Sequence, residues 1–443
     1  MSSTTKTHVR YLVIFVLFVA STFSYGDRIV LSIAALSLMH GLQIDPLHLG
    51  YLLSGFGWAY AFGQLPAGGL LDRFGSRRVY GVSILCWSAL AVLAGLTGYL
   101  PAVIAFYALF VVRLLSGLVQ APVFPGNGRI VAAWFPKSER GTASAIFNSA
   151  QYFSLVFFAP AMGWIAHLWG WKQCFWFAGI AGVILCFVWF RVIHDVKTHP
   201  SISLAEVSLI ERGGGLVNMD ARKPTGTVLA WSAIRWLFSS RMMVGIYMGQ
   251  YCITTLTWFF LTWFPIYLTR AKHIPIVTAG FLAALPALFG CAGGIFGGVV
   301  SDRLLRGSFS LTFARKAPIV TGMVLAMSIV ACNYAQSRIA MILFMSLAFF
   351  GKGFGALGWT VVSDTSPKEI VGTNGGLFNL IGNLAGITTP IIIGYIVGKT
   401  GSFSGALLFV AVTAFLAVVA YVPIVGEIKR LERAPAPIAG EVA

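Results

Sequence analysis

The feature that most constrains this chain is a succession of apolar runs, each about 20 residues or longer, the length a helix needs to cross a bilayer. Twelve fall near residues 11–39, 49–70, 79–99, 102–132, 141–168 and 171–193, then 241–268, 276–300, 317–335, 338–363, 371–397 and 402–425. Lipid offers the backbone no hydrogen-bond partners, so runs of this kind are expected to be helices. The 443 residues are 58% hydrophobic and 10% charged, whereas a soluble domain carries about a quarter charged residues. The reading is an all-α membrane protein with twelve transmembrane helices.

A net charge of +17 first suggests nucleic acid, but no basic stripe interleaved with aromatics is present. The basic residues gather in alternate turns instead. Lys6, Arg10, Arg73, Arg77, Arg78, Lys137, Arg140, Arg303, Arg306, Arg315, Lys316, Lys368 and Lys429 fall on one side, against Lys172, Arg270, Lys272, Arg338 and Lys399 on the other. By the positive-inside rule both termini are cytoplasmic. The first apolar run is too long for a signal-peptide core and lacks an A-x-A cleavage site, so it reads as a first transmembrane helix. Six scattered cysteines form no C-x-x-C pair and read as small hydrophobes.

Residues 194–240 form the longest polar stretch. The expected organisation is a six-helix bundle over 1–193, a cytoplasmic linker over 194–240 with one amphipathic piece, a second bundle over 241–426 and a tail over 427–443. "GGLLDRFGSRR" (from Gly68) recurs as "GGVVSDRLLRG" (from Gly297), and "ERGTASAIFNSAQYF" recurs loosely as "KEIVGTNGGLFNLIGN". Asp72 and Asp302 are 230 positions apart, Asn148 and Asn379 231. Two unrelated motifs with nearly one offset indicate a duplicated unit, and two pseudo-symmetric halves with a site near the midplane are a transporter architecture.

The duplicated turn is expected to gate. Gly68 and Gly69 would allow close helix approach. Asp72 would accept from helix N-terminal amides or pair with a basic residue across the halves, with Arg73, Arg77, Asp302 and Arg303 around it. A contact made in one conformation and broken in the other sets the balance between them.

Few ionisable residues remain inside the membrane, and the candidates are Asp27, Arg28, Arg113 and Lys352. Each costs several kcal/mol in lipid and is a functional candidate for that reason. Three cations and one anion favour an organic anion. Arg28 offers a planar fork for a carboxylate, and Lys352 a second charge from the other half, so a diacid would fit. Asp27 and Arg28 point about 100° apart on a helix, so they cannot both face one cavity. Arg28 shares its face with Ser24, Tyr25 and Ser32. Asp27 is expected to face a neighbouring helix, with Arg113 its partner, and can exchange that partner for a proton. Pro122 and Pro125 are expected to bend the fourth helix. Tyr60, Gln64, Asn148, Gln151, Gln250, Tyr251, Asn379 and Asn383 are donors and acceptors for a polyhydroxylated ligand or helix–helix glue. Trp359 is a wall or a lipid anchor. No metal, cofactor or nucleophile motif is visible.

"SYGDR", "WAYAFGQLPAGGLLDRFGSRRVY", "APVFPGNGRIVAAWFPKSERGTASAIFNSAQYF" and "FFGKGFGALGW" together resemble the anion:cation symporter family of the major facilitator superfamily, over about Arg10 to Arg430. Within it they are most similar to bacterial D-glucarate/D-galactarate (aldarate) transporters. The resemblance implies proton-coupled import of sugar acids across a bacterial inner membrane by a monomer. It implies that Arg28 binds a substrate carboxylate, that Tyr25, Tyr60, Gln151, Gln250, Lys352, Trp359 and Asn379 line the site, and that Asp27 and Arg113 couple the proton. Relatives usually carry glutamate where this chain has Gln120. Either Asp27 alone couples here, or glutamine at 120 is an engineered replacement favouring one conformation. Other organic anions (a hexuronate, an aldonate such as galactonate, an aromatic acid) and another coupling ion remain open. An enzyme or receptor lacks the chemistry or the signalling domain it would need.

Overall fold

The computed structural model describes residues 7–136, 139–217, 231–307, 309–367 and 370–431. Within them every regular element is helical, as the apolar runs require. The described residues fall into two compact units. One holds the chain up to Gln43 and from Trp58 to residue 217; the other holds Ile44–Gly57 and everything from residue 231 on.

The first unit contains α1 (Val9–Leu42), the second half of α2 (Pro46–Phe74), α3 (Ser76–Leu96), α4 (Ala102–Gln120), α5 (Val123–Trp134), α6 (Arg140–Trp169), α7 (Trp171–Val192) and α8 (Leu204–Arg212). The second contains the start of α2, then α9 (Trp231–Ser239), α10 (Arg241–Trp258), α11 (Phe264–Ile266), α12 (Ile276–Arg306), α13 (Leu311–Ala326), α14 (Arg338–Gly353), α15 (Leu357–Thr365), α16 (Val371–Thr400) and α17 (Ser404–Val419). Eleven stretches among the described residues are long and apolar enough to span a membrane. The 29-residue α2 has the length of a twelfth.

Prolines account for two departures from straight helices. The run expected as one helix over 102–132 is broken at Ala121–Pro122, dividing α4 from α5. Proline has no N–H for the i−4 carbonyl and its ring crowds that carbonyl. In the seventh span, Pro265 lies between two wide π turns, Phe259–Trp263 and Tyr267–Ala271.

The polar stretch after α7 is built onto the first unit up to residue 217. Ser203 N-caps α8, its Oγ accepting from the Glu206 amide at 3.2 Å. In an S-x-x-E capping box the glutamate would reach back to the cap amide. Glu206 turns instead to α1. Its carboxylate accepts from the Thr7 hydroxyl (2.6 Å), the Val9 and Arg10 amides (3.1 and 3.2 Å) and Arg10 Nη1 (3.1 Å). It thereby caps the positive end of a 34-residue helix from another element. Arg10 Nε reaches Glu139 at the start of α6. Ile210 joins a core that includes Trp134, Trp189 and Ile193. Residues 218–230 and 432–443, parts of the expected linker and tail, lie outside the described residues.

Candidate functional site

Three consecutive residues of α1 address three different neighbours, as a 100° step per residue demands. Gly26 abuts α6: a Cβ there would sit 2.6 Å from Phe158 Cζ. That contact fixes the rotation of α1. Asp27 then faces α4. Arg113 Nη1 donates to both its backbone oxygen and Oδ2 at 3.3 Å, and Gln120 Nε2 donates to Oδ2 at 2.9 Å. Arg28 faces Tyr25 of its own helix and Tyr60 of α2. Its guanidinium carbon lies 4.7 Å and 4.5 Å from the two ring centroids. The expected separation of the two charges, and the Asp27–Arg113 contact, are both present in the geometry.

Asp27, Arg28 and Arg113 are at most 5% exposed, and Gln120 is completely buried. A carboxylate in such surroundings is tolerable only with a cation and hydrogen-bond donors on it; it has one of each. The Ala121–Pro122 break sets Gln120 at the last turn of α4. Its other end, Oε1, accepts from the Ser24 hydroxyl at 2.8 Å. Ser24, 96 positions away, shares a face with Arg28 in the helical spacing, but nothing in the sequence marks it as a partner of Gln120.

In the second unit Lys352 is buried, and glycines explain why. Gly351 meets Gly322 and Ala326 of α13, and Gly353 meets Gly290 and Gly294 of α12. With both flanking positions pressed backbone to backbone against neighbours, Lys352 is held inside the bundle. Its ammonium lies 5.3 Å from the Phe349 ring centroid. Trp359 is 38% exposed and packs edge-on against Phe378 at 5.0 Å. Asn379 accepts from Asn383 Nδ2 at 3.1 Å. Gln250 donates to Thr254 at 3.3 Å, and Tyr251 bonds Thr388 at 2.6 Å. Gln151 donates to the Asn148 carbonyl on its own helix. In the second unit Gln250, Tyr251, Asn379 and Asn383 thus gather on α10 and α16.

The duplicated turn departs from expectation in two respects. Gly68 and Gly69 show no close helix packing among the described residues: a Cβ at either would meet none of them within 4 Å. Asp72 pairs within its own unit, with Arg129 of α5, whose Nε also donates to Ser76. In the second unit Arg315 of α13 takes the cationic role. It bonds Asp364 at 2.8 Å and Ser301 at 2.8 Å, and lies 3.6 Å from Asp302. The two clusters share the aspartate on the second span of each repeat and draw their arginine from different spans. Arg77 donates to the Phe190 carbonyl and to His194. Arg73 and Arg303 are exposed. Arg129, 57 positions from Asp72, carried no signal in the sequence.

The family model described as Major Facilitator Superfamily matches residues 17–314. The "Probable galactarate/D-glucarate transporter GudP" of Bacillus subtilis (strain 168) is 55% identical over 427 residues, 96% of this chain and 94% of that protein. The protein of the same name from Escherichia coli (strain K12) is 52% identical over 439 residues, 98% and 97% of the two chains. Among solved structures, a D-xylose-proton symporter superposes with a TM-score of 0.73 at 14% identity, covering 95% of this chain and 98% of its own. At that identity the likeness speaks to the fold alone.

Proposed function

The chain belongs to the Major Facilitator Superfamily, and on that footing we propose that it imports sugar diacids of the galactarate and D-glucarate type together with protons. The membrane is a bacterial inner membrane, both termini are cytoplasmic, and the working unit is a monomer. The observation that carries the substrate is the shared name of relatives matching almost the whole chain. The residues supply a compatible chemistry. Arg28, with its face held by two tyrosines, presents its fork to one carboxylate. Lys352 is a buried cation of the second unit, and a diacid has a second carboxylate for it. Gln151, Gln250, Trp359 and Asn379 provide hydrogen bonds and an apolar wall for the hydroxylated carbons. Asp27, bonded to Arg113 and Gln120, accepts the coupled proton. The Asp72–Arg129 and Arg315–Asp364 pairs brace the gating turn of each unit, which carries Gly68, Arg73 and Arg77 in the first and Asp302 and Arg303 in the second.

Thermal unfolding of the purified protein with glucarate, galactarate, galactonate and glucuronate tests the substrate. Stabilisation by the two diacids is expected. Stabilisation by the monoacids alone would overturn the diacid reading. Lys352→Gln should weaken diacid binding more than monoacid binding, and equal losses would make Lys352 structural.

A further inference from the structure

Ser24 stands where the two charged sites of α1 meet. It precedes Asp27 by three residues and Arg28 by four, so one turn of helix brings its hydroxyl beside both side chains. Toward Asp27, it donates to Gln120 Oε1 at 2.8 Å. That bond orients the amide. With Oε1 held by Ser24, the donor end, Nε2, is the end that faces Asp27.

Toward Arg28, Ser24 lines a small cavity shared with Arg28, Tyr60, Ser21 and Asn127, with a volume of about 10 Å³. That is close to the least space one water molecule requires, and a buried water also needs two to four polar partners. They are present. Asn127 is 1% exposed. Its Nδ2 donates to Ser21 Oγ at 2.8 Å, and its buried Oδ1 and the hydroxyl of Tyr80, which faces Ser21 and Asn127, both lack a well-formed hydrogen bond among the described residues. A buried acceptor left unmatched destabilises a fold, so a donor at this point is favoured. The Ser24 oxygen has lone pairs beyond the proton it gives to Gln120.

We propose that one ordered water occupies this cavity, donating to Asn127 Oδ1 and Ser24 Oγ, and that Ser24 is the positioning residue joining the Asp27–Gln120–Arg113 network to Arg28. The inference rests on the transport reading above and deepens it. A substrate carboxylate that draws Arg28 toward itself changes the cavity wall. The water and the Ser24 hydroxyl reorient, and Gln120 loosens its hold on Asp27. Two side chains that point about 100° apart are coupled through a residue that lies between them, one turn earlier on the same helix. The charged and titratable groups facing this chain of bonds are Asp27 and Arg28 of α1, Arg113 of α4, and the phenols of Tyr25, Tyr60 and Tyr80.

The test uses the full-length protein in liposomes, with Ser24→Ala and Ser24→Thr. Three quantities are read: thermal stabilisation by glucarate, counterflow exchange of labelled glucarate, and accumulation driven by a pH gradient. For Ser24→Ala, stabilisation and counterflow should stay within about threefold of the parent while accumulation falls about tenfold, the size of an ordinary coupling energy. Ser24→Thr, which keeps the hydroxyl, should restore accumulation. Unchanged accumulation in Ser24→Ala overturns the proposal. So does a proportional loss of all three quantities, which marks a structural residue. Should Ser24→Ala fail to fold, Asn127→Leu removes the other partner of the water and must give the same split. An unsubstituted protein that binds glucarate but shows no response to a pH gradient overturns the proton reading itself, whatever Ser24 does.

Discussion

Gln120 gives its amide hydrogen to Asp27, Nε2 lying 2.9 Å from Oδ2, although the residues are 93 positions apart. An amide can fill this place permanently; a carboxyl group can fill it only while protonated. Gln120→Glu would set two carboxyl groups on one buried hydrogen bond, and two such groups share a proton. Uptake driven by a pH gradient should rise in this variant and its pH dependence should steepen. An unchanged rate and pH profile would remove position 120 from coupling.

Arg113→Gln leaves the Asp27 carboxylate buried without its cation, which costs about 3–5 kcal/mol. Adding Asp27→Asn removes the orphaned charge, so the double variant should be markedly more stable than the two single losses summed. Thermal unfolding in detergent measures both. Strict additivity would mean that the 3.3 Å contact contributes nothing.

Tyr60 holds its ring face 4.5 Å from the Arg28 guanidinium. In a desolvated site such a contact contributes about 1–2 kcal/mol. Tyr60→Leu should therefore weaken glucarate binding roughly five- to thirtyfold, while Tyr60→Phe, which keeps the π face, should bind nearly as the parent does. Equal losses in the two variants would assign the effect to the hydroxyl instead.

Glu206→Gln removes the negative charge that four donors from residues 7–10 share. A lost charge-assisted network of this kind costs about 2–4 kcal/mol. Limited proteolysis should then cut the segment around α8 faster, with glucarate binding little changed. Cleavage at the parent rate would show that Ile210 and its apolar neighbours hold α8 by themselves.

His199 lies outside the spans. Its Nδ1 accepts from the Ser201 amide and its Nε2 donates to the Val192 carbonyl, an arrangement of the neutral ring. Burial first, then the neighbouring His194, hold its pKa below the ordinary 6.5. The unfolded chain therefore binds this proton more readily, and stability contributed by neutral His199 is present above about pH 6.5 and lost as pH falls below it. Thermal unfolding between pH 8 and 5 should show this fall, and His199→Gln should flatten it. A curve of the same shape in the variant would place the effect on other groups.

Much of this protein was legible before any coordinates. Helix number and length follow from the bilayer, which allows few other forms to an apolar run. The opposed directions of Asp27 and Arg28 follow from the turn of a helix, and Pro122 marked the break after Gln120. What lay beyond reach were partners far apart in the chain: Ser24 with Gln120, Asp72 with Arg129, Glu206 with the first turn of α1. Local periodicity carries no term for which helices become neighbours. Gly68 and Gly69 show the converse. Small residues permit close approach, but whether a neighbour comes is settled by packing elsewhere, and here none of the described residues does.

The sequence by itself therefore determined that this chain spans a membrane as two related helical halves and that its few buried charges matter. Tertiary structure decided which of those charges share a bond. The physical reason is one of range: solvation and helix geometry act on each segment separately, whereas a hydrogen bond needs two groups within about 3 Å, a distance set only when whole helices have packed.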